Sequence, residues 1–246
     1  MKKILVTGGD GRFANELKKI KTKYKFIFLN KKKLNICNYN SIIKTIKKFK
    51  PNIILHLAGL SRPMDIHEKN INKSINLNIV GTANIVNACS KFKIKIIYFS
   101  TSYIYPGLKG NYREKDPVLP WNNYGWSKLG GECVVQMYKN SLILRACMTQ
   151  KPFLHKNAYA NVKSNFIYHE DIIKKFLKVL NKKGVYNIGG KTQTIYNFAK
   201  KDNPNIKISI CLGGGVLTTV QADNWSNLLS SSENRTKIIT KITVDV

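Results

Sequence analysis

A tyrosine and a lysine four residues apart, Tyr124 and Lys128 in YGWSK, have the types and spacing to do chemistry together. On a helix, side chains at i and i+4 share a face, so the ammonium can sit beside the phenol and stabilise phenolate. A phenol ordinarily titrates near about 10, and an adjacent cation helps it exchange protons at neutral pH. Upstream, an apolar run ends in Ser100-Thr101-Ser102, whose hydroxyls could hold a carbonyl oxygen.

A second constellation stands near the N-terminus. Ile4-Leu5-Val6 runs into Thr7-Gly8-Gly9-Asp10-Gly11-Arg12-Phe13-Ala14, which opens a helical pattern. Gly8 and Gly11 allow a tight turn and close approach of backbone to a pyrophosphate, with Arg12 and Phe13 beginning the helix and Ala14 small enough to pack on the strand. A Gly-rich turn alone is a weak signal; between a strand and a helix it points to a dinucleotide. An NAD-selective site carries a carboxylate at the end of its second strand. Here that place holds Asn30, followed by Lys31, Lys32 and Lys33. With cations nearby and no carboxylate to repel a 2′-phosphate, NADPH is the expected cofactor and NADH the second option. Arg12 could clamp the same phosphate.

Elements that could position these residues alternate along the chain. Apolar runs at Ile4–Val6, Phe26–Leu29, Ile53–Leu57, Ile94–Phe99, Leu142–Leu144 and Val185–Ile188 read as strands. Between them lie amphipathic patterns: Phe13, Leu17 and Ile20; Ile42, Ile43 and Ile46 within 39–49, stopped by Pro51; and a long helix through Ile75, Ile79, Ala83 and Val86. Nearly all-apolar strands separated by amphipathic helices predict an α/β fold, a doubly wound parallel sheet covered on both faces. After Ile210 the chain becomes rich in Ser, Thr and Asn, with no clear period.

Composition narrows the class. At 246 residues and 43% hydrophobic, the chain can bury a core, and it contains no apolar stretch of membrane-spanning length. The first apolar run is too short for a secretory signal. Five cysteines, Cys37, Cys89, Cys133, Cys147 and Cys211, lack CxxC spacing. They read as free thiols in a reducing compartment, so a soluble cytoplasmic protein is expected, with neither metal nor membrane partner. Net charge is +29, which raises the question of a polyanion. Yet only five of the 42 basic residues are arginine (Arg12, Arg62, Arg113, Arg145, Arg235), and lysine is spread along the whole chain without a nucleic-acid motif. Nucleic acid is not expected as the main partner.

The motifs TGGDGRFA (7–14), LHLAG (55–59), NIVGT (78–82), FSTSYIYPG (99–107), YGWSKLGGE (124–132), FIYHEDI (166–172) and GVYNIGG (184–190) occur in order over about residues 1–200. In them the chain resembles the extended short-chain dehydrogenase/reductases, in the nucleotide-sugar group that includes dTDP-4-dehydrorhamnose reductase. The resemblance implies a Rossmann domain over 1–146 and a small, apparently shortened C-terminal substrate lobe over 147–246, with about 166–190 returning to the sheet. It implies Tyr124 as the acid that protonates a carbonyl oxygen, and Lys128 as the group that lowers its pKa and holds the nicotinamide ribose. Thr101, three residues before Ile104, is implied as the carbonyl anchor, with Ser102 the neighbour that could be mistaken for it. Further cofactor contacts are implied at Leu57, Ala58, Gly59 and Asn78. Asn35-Ile36 stands where the family carries an acidic residue near the adenine. Dehydratases of the group carry Asp-Glu after the Thr; here Ser102-Tyr103 follow, which disfavours dehydration. The expectation is an NAD(P)H-dependent reductase of a nucleotide-linked 4-keto-6-deoxy sugar in surface polysaccharide synthesis. Its partners would be the nucleotide-diphosphate sugar and a second copy of the chain as a homodimer. A nucleotide-sugar 4-epimerase and a non-catalytic cofactor-binding regulatory subunit are the alternatives.

Overall fold

The computed structural model describes residues 1–108, 110–211 and 215–216. Six parallel strands form its central sheet: β1 (Lys3–Thr7), β2 (Lys25–Leu29), β3 (Ile53–His56), β4 (Lys95–Thr101), β5 (Ser141–Ala146) and β6 (Gly184–Ile188). Their order is β2-β1-β3-β4-β5-β6. The winding direction reverses between β1 and β3, and in such sheets the crevice at the strands' carboxyl ends is where ligands bind. β1 and β3 pair Thr7 with His56, and β4 and β5 pair Thr101 with Ala146. The Gly8 turn, the Leu57–Leu60 segment and Thr101 therefore all emerge on that one edge.

Both faces are covered. Ile4 and Val6 of β1 point to one core, shared with α1 (Arg12–Lys18) and α5 (His169–Val179) through Phe13, Leu17, Ile173 and Phe176. Leu5, one residue out of phase, joins the other core with α2 (Tyr39–Phe49), α3 (Gly81–Lys91) and α4 (Asn123–Gln136) through Ile42, Ile46, Ile85 and Val135. The two-residue alternation of a strand sends its side chains to both layers, which is why nearly every strand position is apolar. Each such side chain contributes about 1.5–3 kcal/mol by leaving water.

The long helix expected through Ile75 and Val86 is continuous but not uniform. A helical segment Ile71–Ile75 leads into a π turn, Asn76–Val80, before α3. This wide turn swings Asn78 inward, where it is buried. α4 can approach it because Gly131 has no Cβ: one added there would lie 2.5 Å from Asn78 O and 2.6 Å from the Tyr98 hydroxyl.

After β5 the chain builds short pairings away from the main sheet. Met148–Thr149 pairs with Ile167–Tyr168, Asn157–Tyr159 with Lys207–Ser209, and Val162–Ser164 with both Gln193–Thr194 and Gly215–Val216. They enclose a small core of their own around Phe153, Tyr168 and Phe198. Except for Cys211 and Gly215–Val216, the Ser/Thr/Asn-rich segment beyond Ile210 lies outside the described residues. No described helix is long and apolar enough to cross a membrane.

Candidate active site

Gly8 follows β1 with φ +68°, a left-handed conformation open to glycine at no steric cost. A Cβ there would lie 2.8 Å from the Cα and N of Ala58, so the turn and the segment after β3 meet backbone to backbone. A network of side chains holds them together. The Thr7 hydroxyl accepts from Leu57 N (3.1 Å) and Ala58 N (3.0 Å) and lies 2.8 Å from His56 Nδ1. His56 Nε2 lies 3.1 Å from Thr82 Oγ1, which donates to Asn78 O at 2.7 Å. Thr82 has one proton, already given to Asn78 O, so His56 Nε2 carries a hydrogen and donates to Thr82. Nδ1 is then the acceptor for Thr7, whose lone pairs the two amides occupy. Burial, reinforced by the nearby Lys128 charge, pulls the His56 pKa down to about 3. The ring is neutral, as the network requires.

Asn78 clamps the next stretch. Its Oδ1 accepts from Leu60 N at 2.7 Å, and its Nδ2 donates to Leu60 O at 2.9 Å and to Ser127 Oγ at 2.8 Å. The π turn, the segment after β3 and α4 are thus joined at one side chain. Asn78, carried over as a cofactor contact, has its amide engaged in this joint.

The N-terminus of α4 is secured twice. Asn122 Oδ1 accepts from Gly125 N at 2.7 Å, an N-cap, and Glu68 accepts from both Asn123 N and Asn123 Nδ2. This helix brings Tyr124 to the end of β4, where the Thr101 hydroxyl, which also accepts from Tyr103 N at 3.3 Å, is near enough to favour the charged form of the phenol. The phenol is also flanked edge-on by His67 (5.1 Å between centroids) and Tyr103 (5.7 Å). Burial raises the Tyr124 pKa. The Thr101 hydroxyl and the charges of Arg62 and Arg12 act against that rise.

Lys128 shares the helix with Tyr124, yet its ammonium rests 4.1 Å above the centre of the Tyr98 ring, whose hydroxyl donates to Lys128 O. Burial brings its pKa down to about 7, with Glu132 one turn further on opposing the shift.

The remaining expected contacts divide into open and committed groups. Lys31 is exposed, while Asn30 Oδ1 accepts from Lys33 N at 3.1 Å and so ties the turn after β2. Asn35 Oδ1 accepts from Cys37 N. Ile36 is core, buried beside Gly81, with its carbonyl held by Asn84. Phe13 packs against Phe99 with the ring planes tilted by 50° and the centroids 4.8 Å apart. Ala14 is buried beneath the turn. Ile36, Phe13 and Ala14 could offer a cofactor only their backbone. Leu57, Ala58 and Gly59 line the crevice opposite Gly8, and Gly11 is the N-cap of α1. Arg12 donates to Gln150 Oε1 at 3.2 Å and feels the charges of Arg62 and Tyr124.

Other residues are settled by packing. Trp121 is buried and stacks on Tyr103. Arg145 is a structural cation, paired with fully buried Glu132 at 2.7 Å and donating to Tyr105 OH and Glu114 O. Among the described residues no group of three or more His, Cys, Asp or Glu could hold a metal. Sequence reasoning missed Arg62, His67 and Glu68. Each acts on a partner distant in the chain, and none belongs to a recognisable local pattern.

Over 154 residues the chain is 30% identical to a dTDP-4-dehydrorhamnose reductase of Aggregatibacter actinomycetemcomitans, covering 61% of this chain and 52% of that protein. It thus spans about half the length of that relative. It is 34% identical over 113 residues to methionine adenosyltransferase 2 subunit beta of Xenopus laevis, covering 46% of this chain and 34% of that protein. Among solved structures it is similar to dTDP-4-dehydrorhamnose reductase from Bacillus anthracis in complex with NADP, with a TM-score of 0.79 and 22% identity, over 86% of this chain and 85% of that one. This last likeness concerns the fold. A family model, the RmlD substrate binding domain, matches residues 1–162, and the chain belongs to that family.

Proposed function

We propose that this protein is an NADPH-dependent reductase of a nucleotide-linked 4-keto-6-deoxy sugar. The observation that carries the reading is the placement of the Tyr124 phenol beside the carboxyl end of β4, against Tyr103 and within the influence of the Thr101 hydroxyl, on the same sheet edge as the Gly8 turn. The reductase names and the NADP of the similar proteins support it.

The crevice fits a dinucleotide on its own geometry. The Gly8 turn, in a left-handed conformation, meets the segment after β3 backbone to backbone at the carboxyl edge of the sheet, and the end of β2 presents lysines and no carboxylate. When bound, the cofactor supplies the hydride.

The chain's own residues handle the oxygen. A substrate carbonyl entering between Thr101 and Tyr124 would accept from both hydroxyls. Because burial raises the phenol's pKa, Tyr124 holds its proton at neutral pH and is ready to act as the acid. It gives that proton to the substrate oxygen as the carbonyl carbon is reduced. The phenolate left behind is stabilised by the Thr101 hydroxyl and the charges of Arg62 and Arg12 until solvent reprotonates it.

The test is NADPH consumption by the purified protein on a panel of nucleotide 4-keto-6-deoxy sugars, with Tyr124→Phe beside it. Turnover that vanishes in the variant supports the reading. Tight NADPH binding with no turnover on any panel member would favour a non-catalytic cofactor-binding subunit. One observation favours that second reading, the similarity to a protein named as a subunit of another enzyme.

A further inference from the structure

Two rings from other parts of the chain meet the Tyr124 phenol. Tyr103 lies 5.7 Å from it and is itself stacked on Trp121. His67 lies 5.1 Å from it, with the ring planes 61° apart. Contacts of this kind set the positive edge of one ring against the negative face of the other, and so favour particular orientations over others.

His67 is itself firmly held. It is fully buried, and its Nδ1 lies 2.7 Å from Oγ of Ser74, which is buried too. The short helix that carries it, Ile66–Lys69, docks on the start of α4. Glu68 accepts from Asn123 N at 3.2 Å and from Asn123 Nδ2, and His67 O accepts from Asn123 Nδ2 at 3.4 Å. This short helix thus grips two adjacent residues, Asn123 by hydrogen bonds and Tyr124 by the ring. The His67 Nε2 is sealed from water and has no hydrogen-bond partner among the described residues. A buried nitrogen left unpaired is a cost to folding and calls for a reason; an alkyl side chain would fill the space without it. Burial, reinforced by the Lys128 charge, brings the His67 pKa down to about 4, so the ring is neutral and meets the phenol by contact. Enclosed as it is, His67 does not reach substrate. Whatever it does for the chemistry passes through the phenol.

We propose that His67 is a positioning residue, whose ring holds the Tyr124 phenol in the orientation from which it gives its proton. The proposal rests on Tyr124 being the acid, as in the proposed function. Proton transfer requires hydrogen-bond reach between donor and acceptor, and a misplacement of about 1 Å lowers a rate by about 100-fold. The ring contact, rather than the bond to Ser74, is the part that acts on Tyr124.

Two variants separate the ring from the hydrogen bond. His67→Phe keeps a ring against Tyr124 and gives up the bond to Ser74; His67→Gln keeps a polar partner for Ser74 and gives up the ring. Rates on the panel of nucleotide 4-keto-6-deoxy sugars, expressed per folded protein, are measured with NADPH titrations on the same samples. Proteins labelled with ε-carbon-13 tyrosine add a spectroscopic readout, the Tyr124 signals being those absent from Tyr124→Phe. A held ring gives separate ε signals and a freely flipping one a single averaged signal. His67→Gln is expected to lose kcat by about 10- to 100-fold with KM and NADPH affinity within about twofold, and His67→Phe to stay within about threefold of wild type throughout. The Tyr124 ε signals should be separate in wild type and His67→Phe and averaged in His67→Gln. An unchanged kcat in folded His67→Gln overturns the proposal, since lost stability alone would then describe His67. Equal kcat losses in the two variants also overturn it, by assigning the effect to the Ser74 bond. So does a fall in NADPH affinity that matches the fall in rate. If the wild type turns over no member of the panel, the reductase reading is what falls, and the spectra still judge the hold on the phenol. Separate signals that average in His67→Gln uphold that hold, and one pattern in all three proteins overturns it.

Discussion

The Lys128 ammonium lies 4.1 Å above the Tyr98 ring, on the β4 side of α4. The i, i+4 spacing does put Lys128 and Tyr124 on one helix. The aromatic face beneath nevertheless captures the cation, a contact worth about 0.5–2 kcal/mol depending on desolvation. The cations felt by Tyr124 are Arg62 and Arg12.

Lys128 should then mark the pH dependence of stability. Its pKa falls from 10.5 to about 7 on folding, so between about pH 7 and 10.5 the unfolded chain holds a proton that the folded one has released. Stability of the ligand-free protein should rise with pH across that window. Thermal melts of wild type and Lys128→Met between pH 6 and 10 check this. The variant should be relatively most stabilised near pH 6–7, with its advantage shrinking toward pH 10. A constant offset would contradict the assignment.

Replacing Tyr124 by Phe should lower turnover by about 10²- to 10⁴-fold, the usual contribution of a positioned acid, while NADPH still binds. Thr101→Val should impair kcat in the same direction, because it removes the hydroxyl that favours the charged form of the phenol. Steady-state rates with parallel NADPH titration separate chemistry from binding. Loss of cofactor affinity in Tyr124→Phe equal to the loss of rate would count against the acid role.

Three histidines are buried and held neutral: His56 with a pKa of about 3, and His67 and His169 at about 4. Below their ordinary 6.5 the unfolded chain takes up protons that the folded one refuses. Stability should therefore fall from about pH 6.5 toward pH 4, by up to about 1.4 kcal/mol per pH unit for each histidine. Urea midpoints over that range measure the slope, and His67→Gln should flatten it by about one third. An unchanged slope would show that His67 is not a contributor.

Thr7→Val keeps shape but removes the acceptor for Leu57 N and Ala58 N and the donor to His56. Buried polar groups left unpaired cost about 1–3 kcal/mol each, so destabilisation of about 2–4 kcal/mol is expected. NADPH affinity should fall with it, because the Gly8 turn and the segment after β3 lose their tie. Chemical denaturation and cofactor titration on the same sample test both effects.

Arg145→Met should be costlier than Glu132→Gln. The first leaves a carboxylate charge in the fully buried Glu132, a loss of about 3–5 kcal/mol. The second keeps an oxygen that can accept from Arg145, although it leaves the cation without its counter-charge. Denaturant midpoints of the two variants should fall in that order.

The Gly8 turn, the six sheet strands and the pairing of Tyr124 with Lys128 on one helix were legible in the sequence because each is local. Turn chemistry, a two-residue apolar period and an i, i+4 spacing are complete within a few residues. Legible too was the absence of a carboxylate after β2, since it concerns which residue stands at one strand end. What Lys128 rests on and why Asn78 is buried were decided only by the tertiary structure. Those contacts join β3, the π turn, β4 and α4, segments far apart in the chain whose approach is set by packing and by missing Cβ atoms such as that of Gly131. The pairings after β5 were illegible for a related reason. Strands of two or three residues carry no period, and their partners, such as Lys207–Ser209 for Asn157–Tyr159, are supplied by distant parts of the chain. Local physics dictated the elements and their chemistry; the orientation of each reactive group followed from the neighbours that folding brought beside it.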